Sequence, residues 1–344
     1  MLKNRKFLAY ALVIVSTLVA TFTFYFWQVA QSANLNVEGK QKFVLYIPKG
    51  ATYETVLDSL HKHKVIHDEL SFGFLSKLMK YRDKVKPGRY EIPVNSGNKA
   101  ILSKLKRGQQ DPVKLTFNNI RTKEDLIKKI GSKMAFDSDE LLRKLNSEEE
   151  CKKFGLTPTT IMCMFLPDTY FIYWDIPVDG FLERMNHEFK NFWTEERLSK
   201  AKSINMTPTQ VGIMASIVQS ETNKKDEMSR VAGVYVNRIA QGIPLQADPT
   251  VKFALGDFSL KRILHKHLTF SSPYNTYINL GLPPGPIALP ERVSLEAVLN
   301  YEKHNYTYFC AREDFSGYHN FAVDYGEHLK NAAKYQKALD DHGY

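Results

Sequence analysis

Three cysteines, Cys151, Cys163 and Cys310, are all that the 344 residues contain. An odd and sparse set does not supply the disulfide framework of small secreted domains. Stability is therefore expected from buried apolar cores, which a chain of this length can build. There is no Gly-x-Ser-x-Gly elbow, no phosphate-binding loop and no zinc spacing. Serine-elbow hydrolysis, loop-bound nucleotide chemistry and zinc chemistry thus lose their usual signatures. Two His-Lys-His triplets, His61 to His63 and His265 to His267, have the composition of metal ligands. No third and fourth ligand accompanies either, so no metal is expected. The chain also lacks internal repeats and low-complexity tracts.

One long hydrophobic run is present. Phe7 to Trp27 are 21 consecutive uncharged, mostly apolar positions, preceded by Lys3, Arg5 and Lys6. As a helix they reach about 32 Å, enough to cross a hydrocarbon core of about 30 Å. The basic residues predict a cytoplasmic tail over 1–6 and a single-pass helix over 7–27, with the rest of the chain outside the cell membrane. Tyr25 and Trp27 stand at the outer end, where amphipathic rings favour the interface. Ala30-Gln31-Ser32 also offers a cleavage site, but a signal peptide's apolar core is usually about 7–15 residues. Either reading exports the remainder. The formal charge of +10 is spread along the chain. It reads as ordinary solubility or as attraction to an anionic lipid or cell-wall glycan; nucleic acid is not expected in that compartment.

Beyond the anchor, composition and periodicity predict an α+β protein. Residues 28–42 read as a polar linker. From 43 to 110 the order is strand, helix, helix, strand, helix: Phe43 to Ile47 is β-prone, Val56, Leu57 and Leu60 have helical spacing, and Pro87-Gly88 precedes Arg89-Tyr90-Glu91-Ile92. Residues 111–344 form a larger mixed region, with an accessory part over 111–203 and a core over 204–344. Thr122 and Asp125 loosely match a capping box, and Phe165 to Tyr170 read as an aromatic-proline turn.

Chemistry concentrates after Thr207. Thr207-Pro208-Thr209-Gln210 is a strong helix start, and Val211, Met214, Ala215 and Val218 follow on one apolar face. Three residues further along that stripe stands Glu221, a carboxylate where a core side chain belongs. Partial burial there would raise its pKa and favour general-acid work. Alternatively the helix stops near Ser220 and Glu221 is exposed. A second helix is predicted over Asp226 to Gln241, stopped by Gly242. Leu245 to Val251 contains Gln246 and Asp248, which suit the wall of a sugar site, but the residues alone favour an Asp-Pro turn. Ser271 to Ile287 is a stiff proline-glycine loop in which Tyr274 and Asn275 offer a ring and hydrogen bonds, either to carbohydrate or to the fold itself.

The order of these segments resembles one family. Ala215-Ser216-Ile217-Val218-Gln219-Ser220-Glu221-Thr222 is similar to the glutamate-bearing helix of the YceG-like proteins, the endolytic murein transglycosylases. Val236-Asn237-Arg238, Leu245 to Val251, Ser272 to Tyr277, Gly281 to Ile287, His319-Asn320-Phe321 and, upstream, Phe165 to Tyr170 match in the same order. Ile47 to Gly50 through Pro87 to Tyr90 resembles the family's LysM-like module. The resemblance implies Glu221 as the catalytic residue and places Gln246, Asp248, Tyr274 and Asn275 in or near a glycan cleft. Two departures stand out: Gln219 where the family often has glutamate, and Met162-Cys163 where it often has Glu-Gly.

That family's reaction cleaves the β-1,4 bond between N-acetylmuramic acid and N-acetylglucosamine inside peptidoglycan strands. One carboxyl group protonates the leaving oxygen, then as carboxylate takes the proton of the muramyl C6 hydroxyl, which closes on C1 to a 1,6-anhydro end. No metal or organic cofactor is implied. The implied partners are glycan strands and the penicillin-binding synthases that make them. Two alternatives remain: a muramidase-type hydrolase in which Asp248 or Glu227 places a water, and an anchored wall-binding protein without activity.

Overall fold

The computed structural model describes residues 2–35, 41–260 and 262–342. The chain divides into two compact units: Met1–Leu115 with Lys133–Ala135 and Tyr170–Ile176, and Thr116–Ser132 with Phe136–Thr169 and Pro177–Tyr344.

The first unit begins with helix α1, Leu2–Gln31. Its span Arg5–Gln31 is, among the described residues, the one helix long and apolar enough to cross a membrane. Within it Ser16 and Thr17 donate to the Val13 carbonyl and Thr21 to that of Thr17, each at 2.9 Å. Then come β1 (Lys42–Ile47), α2 (Tyr53–Lys62), α3 (Glu69–Leu78), β2 (Gly88–Pro93) and α4 (Asn98–Arg107). β1 and β2 pair antiparallel, with Leu45 opposite Tyr90. Phe43, Leu45, Ile47, Tyr90 and Ile92 alternate inward onto Val56, Leu60, Phe72, Leu75, Ile101 and Leu105. Thr52 caps α2 and Asp68 caps α3.

Where a linker was expected, the chain is structured on both sides of residues 36–40, which lie outside the described residues. Gln28 to Gln31 continue α1, and Ala33 and Leu35 make isolated β-bridges to Gly97 and Ile66. Ala30 and Leu35 are buried in the module's core. A polar clamp locks this junction. Asn98 Nδ2 donates to the Val29 carbonyl at 3.0 Å and to Ser71 Oγ at 2.9 Å, while Asn34 Nδ2 donates to Asn98 Oδ1 at 2.7 Å. Asn34 also exchanges two hydrogen bonds with the Asp68 backbone, at 2.6 and 2.8 Å. Gly97 is required here, since a Cβ would stand 2.6 Å from the Gln31 carbonyl oxygen.

The second unit is mostly helical. Strand β3 (Val113–Phe117), whose first three residues belong to the first unit, leads to α5 (Lys123–Gly131), α6 (Ser138–Leu145), α7 (Glu148–Lys152), a 3₁₀ turn at Ile161–Met164 and β4 (Asp168–Ile172), which pairs with β3 and whose last three residues belong to the first unit. The expected turn at Phe165 to Tyr170 thus gives way to strand after Pro167. Thr122 and Asp125 complete a capping box on α5. Next are α8 (Val178–Phe192), α9 (Glu195–Ser203), α10 (Pro208–Glu221), α11 (Met228–Ala240), α12 (Asp248–Leu255) and α13 (His265–Leu268). After an irregular stretch come α14 (Arg292–Leu299), the antiparallel pair β5 (Tyr308–Ala311) and β6 (His319–Ala322), and α15 (Tyr325–Asp341). Helix α10 forms the axis, packed by α9, α11, α12 and α14. It is not amphipathic: every residue from Val211 to Val218 is buried, because neighbours cover all its sides.

Candidate active site

Helix α10 is fixed at both ends. At its start the Gln210 N–H donates to Thr207 Oγ1 at 3.2 Å and the Thr207 N–H to Gln210 Oε1 at 2.9 Å, with Pro208 opening the first turn. Near its end, Gln219 Nε2 donates to the Leu289 carbonyl at 2.8 Å, and its Oε1 accepts from the Glu291 N–H and the Ser294 hydroxyl. A glutamate could not make the first of these bonds, since an ionised carboxylate has no proton to donate. Gln219 is therefore a structural tie between α10 and the 289–294 segment.

Glu221 is the last residue of α10. It is half-buried, and its carboxyl faces a cavity of about 380 Å³. Tyr235, from α11, donates its hydroxyl to Glu221 Oε1 at 2.9 Å. Burial is the largest influence on this carboxyl and raises its pKa. The Tyr235 hydrogen bond and the charges of His319 and Lys252 pull it down, and Asp248 pushes it up. The balance lies at about 7. At neutral pH both forms are populated, as an acid that later acts as a base requires.

The cavity is lined by the polar side chains Gln246, Asp248, Arg238 and His319 and by the rings of Tyr277, Tyr308, Phe309, Tyr325 and His328. Tyr308 lies against Tyr325 and His328, with ring centroids 5.8 and 5.3 Å apart. The tyrosine hydroxyl of Tyr277 donates to Asp248 Oδ1 at 2.7 Å. Arg238 is buried and lends its guanidinium to neutral acceptors: the carbonyls of Pro244, Leu245 and Thr307 and the side chain of Gln246. Its neighbour Asn237 donates to the carbonyls of His304 and Tyr306. The Asn-Arg pair thus ties α11 to the approach to β5. The tie is close: a Cβ on Gly233 would stand 2.4 Å from the Glu302 carbonyl oxygen.

A second cavity, of about 490 Å³, is lined by Gln219, Ser220, Pro249 and Lys252 together with Arg121, Lys225, Phe258 and Glu291. The end of α10 and the start of α12 therefore border both spaces.

Of the residues singled out from the sequence, Glu221, Gln246 and Asp248 come together. Asp248-Pro249 does not form a turn but opens α12, with proline in its first turn. Tyr274 and Asn275 line neither cavity. The Tyr274 ring packs on Phe253 at 4.8 Å. Asn275 is fully buried and donates to the carbonyls of Leu268 and Phe270, while its Oδ1 accepts from the Tyr277 N–H. Its amide thus orders the loop that delivers Tyr277. Met162 and Cys163 are core residues, and burial pushes the Cys163 thiol up to about 12.

Glu227, considered above for placing a water, is buried and committed elsewhere. It accepts from the His319 ring at 2.7 Å, from the His319 N–H at 2.8 Å and from the Thr222 hydroxyl at 3.2 Å. Burial works to raise its pKa, but the His319 hydrogen bonds outweigh it and hold the carboxyl below the usual range. Sequence reasoning had Arg238, Tyr277 and His319 only as members of matching motifs and Tyr235 only as a core residue, without assigning any of them to the site. The available signal was a tyrosine on the core stripe of α11, whose hydroxyl needs a buried partner. Of the histidine triplets, His61 pairs with exposed Glu69, His63 bonds the Ser59 carbonyl and His267 accepts from the Leu264 N–H.

An "Endolytic murein transglycosylase" of Bacillus subtilis is 29% identical over 314 residues, covering 87% of this chain and 86% of that protein. A protein of the same name from Streptococcus pneumoniae is 25% identical over 333 residues, covering 88% of this chain but 60% of its own length. The crystal structure of a yceG-like protein from Listeria monocytogenes superposes with a TM-score of 0.53 at 26% identity, over 85% of this chain and 99% of that one. The profile of the YceG-like family matches residues 45–334, and the chain belongs to that family.

Proposed function

We propose that the protein is an endolytic murein transglycosylase, cutting the β-1,4 bond between N-acetylmuramic acid and N-acetylglucosamine within peptidoglycan strands. The observation that carries this reading is the Glu221 carboxyl, poised at about 7 and facing a cavity lined by polar side chains and aromatic rings. Relatives bearing that enzyme's name support the substrate class.

In this reading Glu221, protonated, gives its proton to the leaving oxygen as positive charge develops at C1. Tyr235 steadies the carboxylate that results. That carboxylate then accepts the proton of the muramyl C6 hydroxyl, which attacks C1 and leaves a 1,6-anhydro end. Attack within one sugar needs no second carboxylate and gains from pre-positioning. The commitments of Glu227 to His319 and Thr222, and of Asp248 to Tyr277, favour this route over a hydrolase in which either acid places a water. The rings of Tyr308 and Tyr325 in the lining offer faces for sugars. The strand is read as crossing the end of α10 between the two cavities.

The remaining assignments belong to the same proposal. The strand–helix–helix–strand unit of β1, α2, α3 and β2 is LysM-like and holds glycan. The chain spans the cell membrane once, N-terminus inside, with both units outside, and trims nascent strands beside penicillin-binding synthases.

The test is product analysis. Purified full-length protein is incubated with peptidoglycan and the products are read by mass spectrometry. Anhydro muropeptides, one water lighter than hydrolysis products, are expected. Reducing ends would establish the hydrolase, and no product from the intact enzyme would favour a wall-binding protein.

A further inference from the structure

Helix α3 carries a row of large apolar side chains that none of the described residues covers. Leu70, Phe74 and Leu78 repeat at i, i+4 and i+8 and are 87%, 55% and 55% exposed, while the opposite face buries Phe72, Leu75 and Ser76. Scattered exposed leucines need no explanation, but an aligned stripe on one helix marks an interaction surface. Exposed Lys77 and Lys80 flank its far end.

The junction with α1 says what covers it. The apolar run reaches its outer end at Tyr25 to Trp27. At that level Phe26 packs on the module's core, and Tyr25 lines a crevice with Asp68 and Ser71, the cap and first turn of α3. Asn98 bonds both Ser71 and the Val29 carbonyl of α1, so the start of α3 is held against the end of the membrane helix. Leu70 is the residue next to Ser71. The clamp therefore sets the start of this stripe at the level where α1 leaves the hydrocarbon.

We propose that α3 lies in the outer lipid interface, with Leu70, Phe74 and Leu78 in the acyl boundary and Lys77 and Lys80 among anionic headgroups. The proposal rests on the reading of α1 as membrane-spanning. The module is then seated on the bilayer by a helix and an interfacial face together.

The experiment uses the full-length chain in nanodiscs containing phosphatidylglycerol. Phe74 is replaced by the photoreactive p-benzoylphenylalanine, a change that an exposed site tolerates. Phe22 on α1 and exposed Asp58 on α2 are replaced likewise in separate chains. After irradiation, lipid adducts are identified by mass spectrometry. Adducts at 22 and 74, several-fold above those at 58, are expected. Adducts at 22 but not above the Asp58 level at 74 would overturn the proposal, as would crosslinking of 74 to a second protein chain in their place. Absence of adducts at 22 would overturn the membrane reading of α1 and the proposal with it.

Discussion

Glu221 does its proposed work by being neutral first and charged second, so its proton affinity is the quantity to measure. With the folded pKa at about 7, the rate of cleavage should fall on the alkaline side with an apparent pKa near that value. In Tyr235→Phe the hydroxyl that favours the carboxylate is gone. The alkaline limb of kcat/KM should therefore move upward, on the order of one pH unit. Glu221→Gln should lower kcat by about 10²–10⁴-fold, read as anhydro muropeptides formed per unit time. The same substitution tests stability. A carboxyl whose pKa rises from 4.5 to about 7 on folding stabilises the fold when protonated, and that contribution is lost as pH rises from about 4.5 through about 7. Thermal melts of Glu221→Gln should therefore gain on the parent over that interval and keep the gain above it. Glu221 was legible in the sequence because it interrupts an apolar spacing. Tyr235 was not, because its ring satisfies the core pattern of α11 and its hydroxyl's partner lies 14 residues away.

At the scale of single elements, the caps were the most readable features. Thr122 and Thr207 each sit where their side chains satisfy a first-turn N–H. Thr207→Ala should cost about 1 kcal/mol in a denaturation experiment, the usual worth of such a cap. Asn98→Ala should cost about 1–3 kcal/mol, since it strands the Val29 carbonyl and the Asn34 amide in a buried place. Other elements were hidden for physical reasons. Asp248-Pro249 has the composition of a turn, and only the packing of α12 on α10 makes it a helix start. The segment up to Leu35 looked like a tether because its partners, Ile66, Asp68 and Gly97, are remote in sequence. Asn275 offered hydrogen bonds that the loop takes for its own backbone.

For the molecule as a whole, the end of α1 and the rest of the first unit share one core. A chain beginning at Gln28 keeps Ala30, Asn34 and Leu35 in place, whereas one beginning at Lys42 loses them. Removing Leu35 alone forfeits about 1.5–3 kcal/mol of apolar burial. The shorter chain's first unit should therefore melt several degrees lower, measured by calorimetry on both. The α+β class and the order of elements were readable from periodicity. The axial position of α10 was not, because the spacing of Val211, Met214, Ala215 and Val218 announces one buried face, whereas neighbours cover every side. Gly233 has a last consequence. With no room for even a methyl group between α11 and the Glu302 carbonyl, a larger residue there must lever α11, and the Tyr235 phenol riding on it, away from the acid. A flaw in backbone fit would then be heard as a change in acidity, making the enzyme's titration curve a remote gauge of how well its helices are seated.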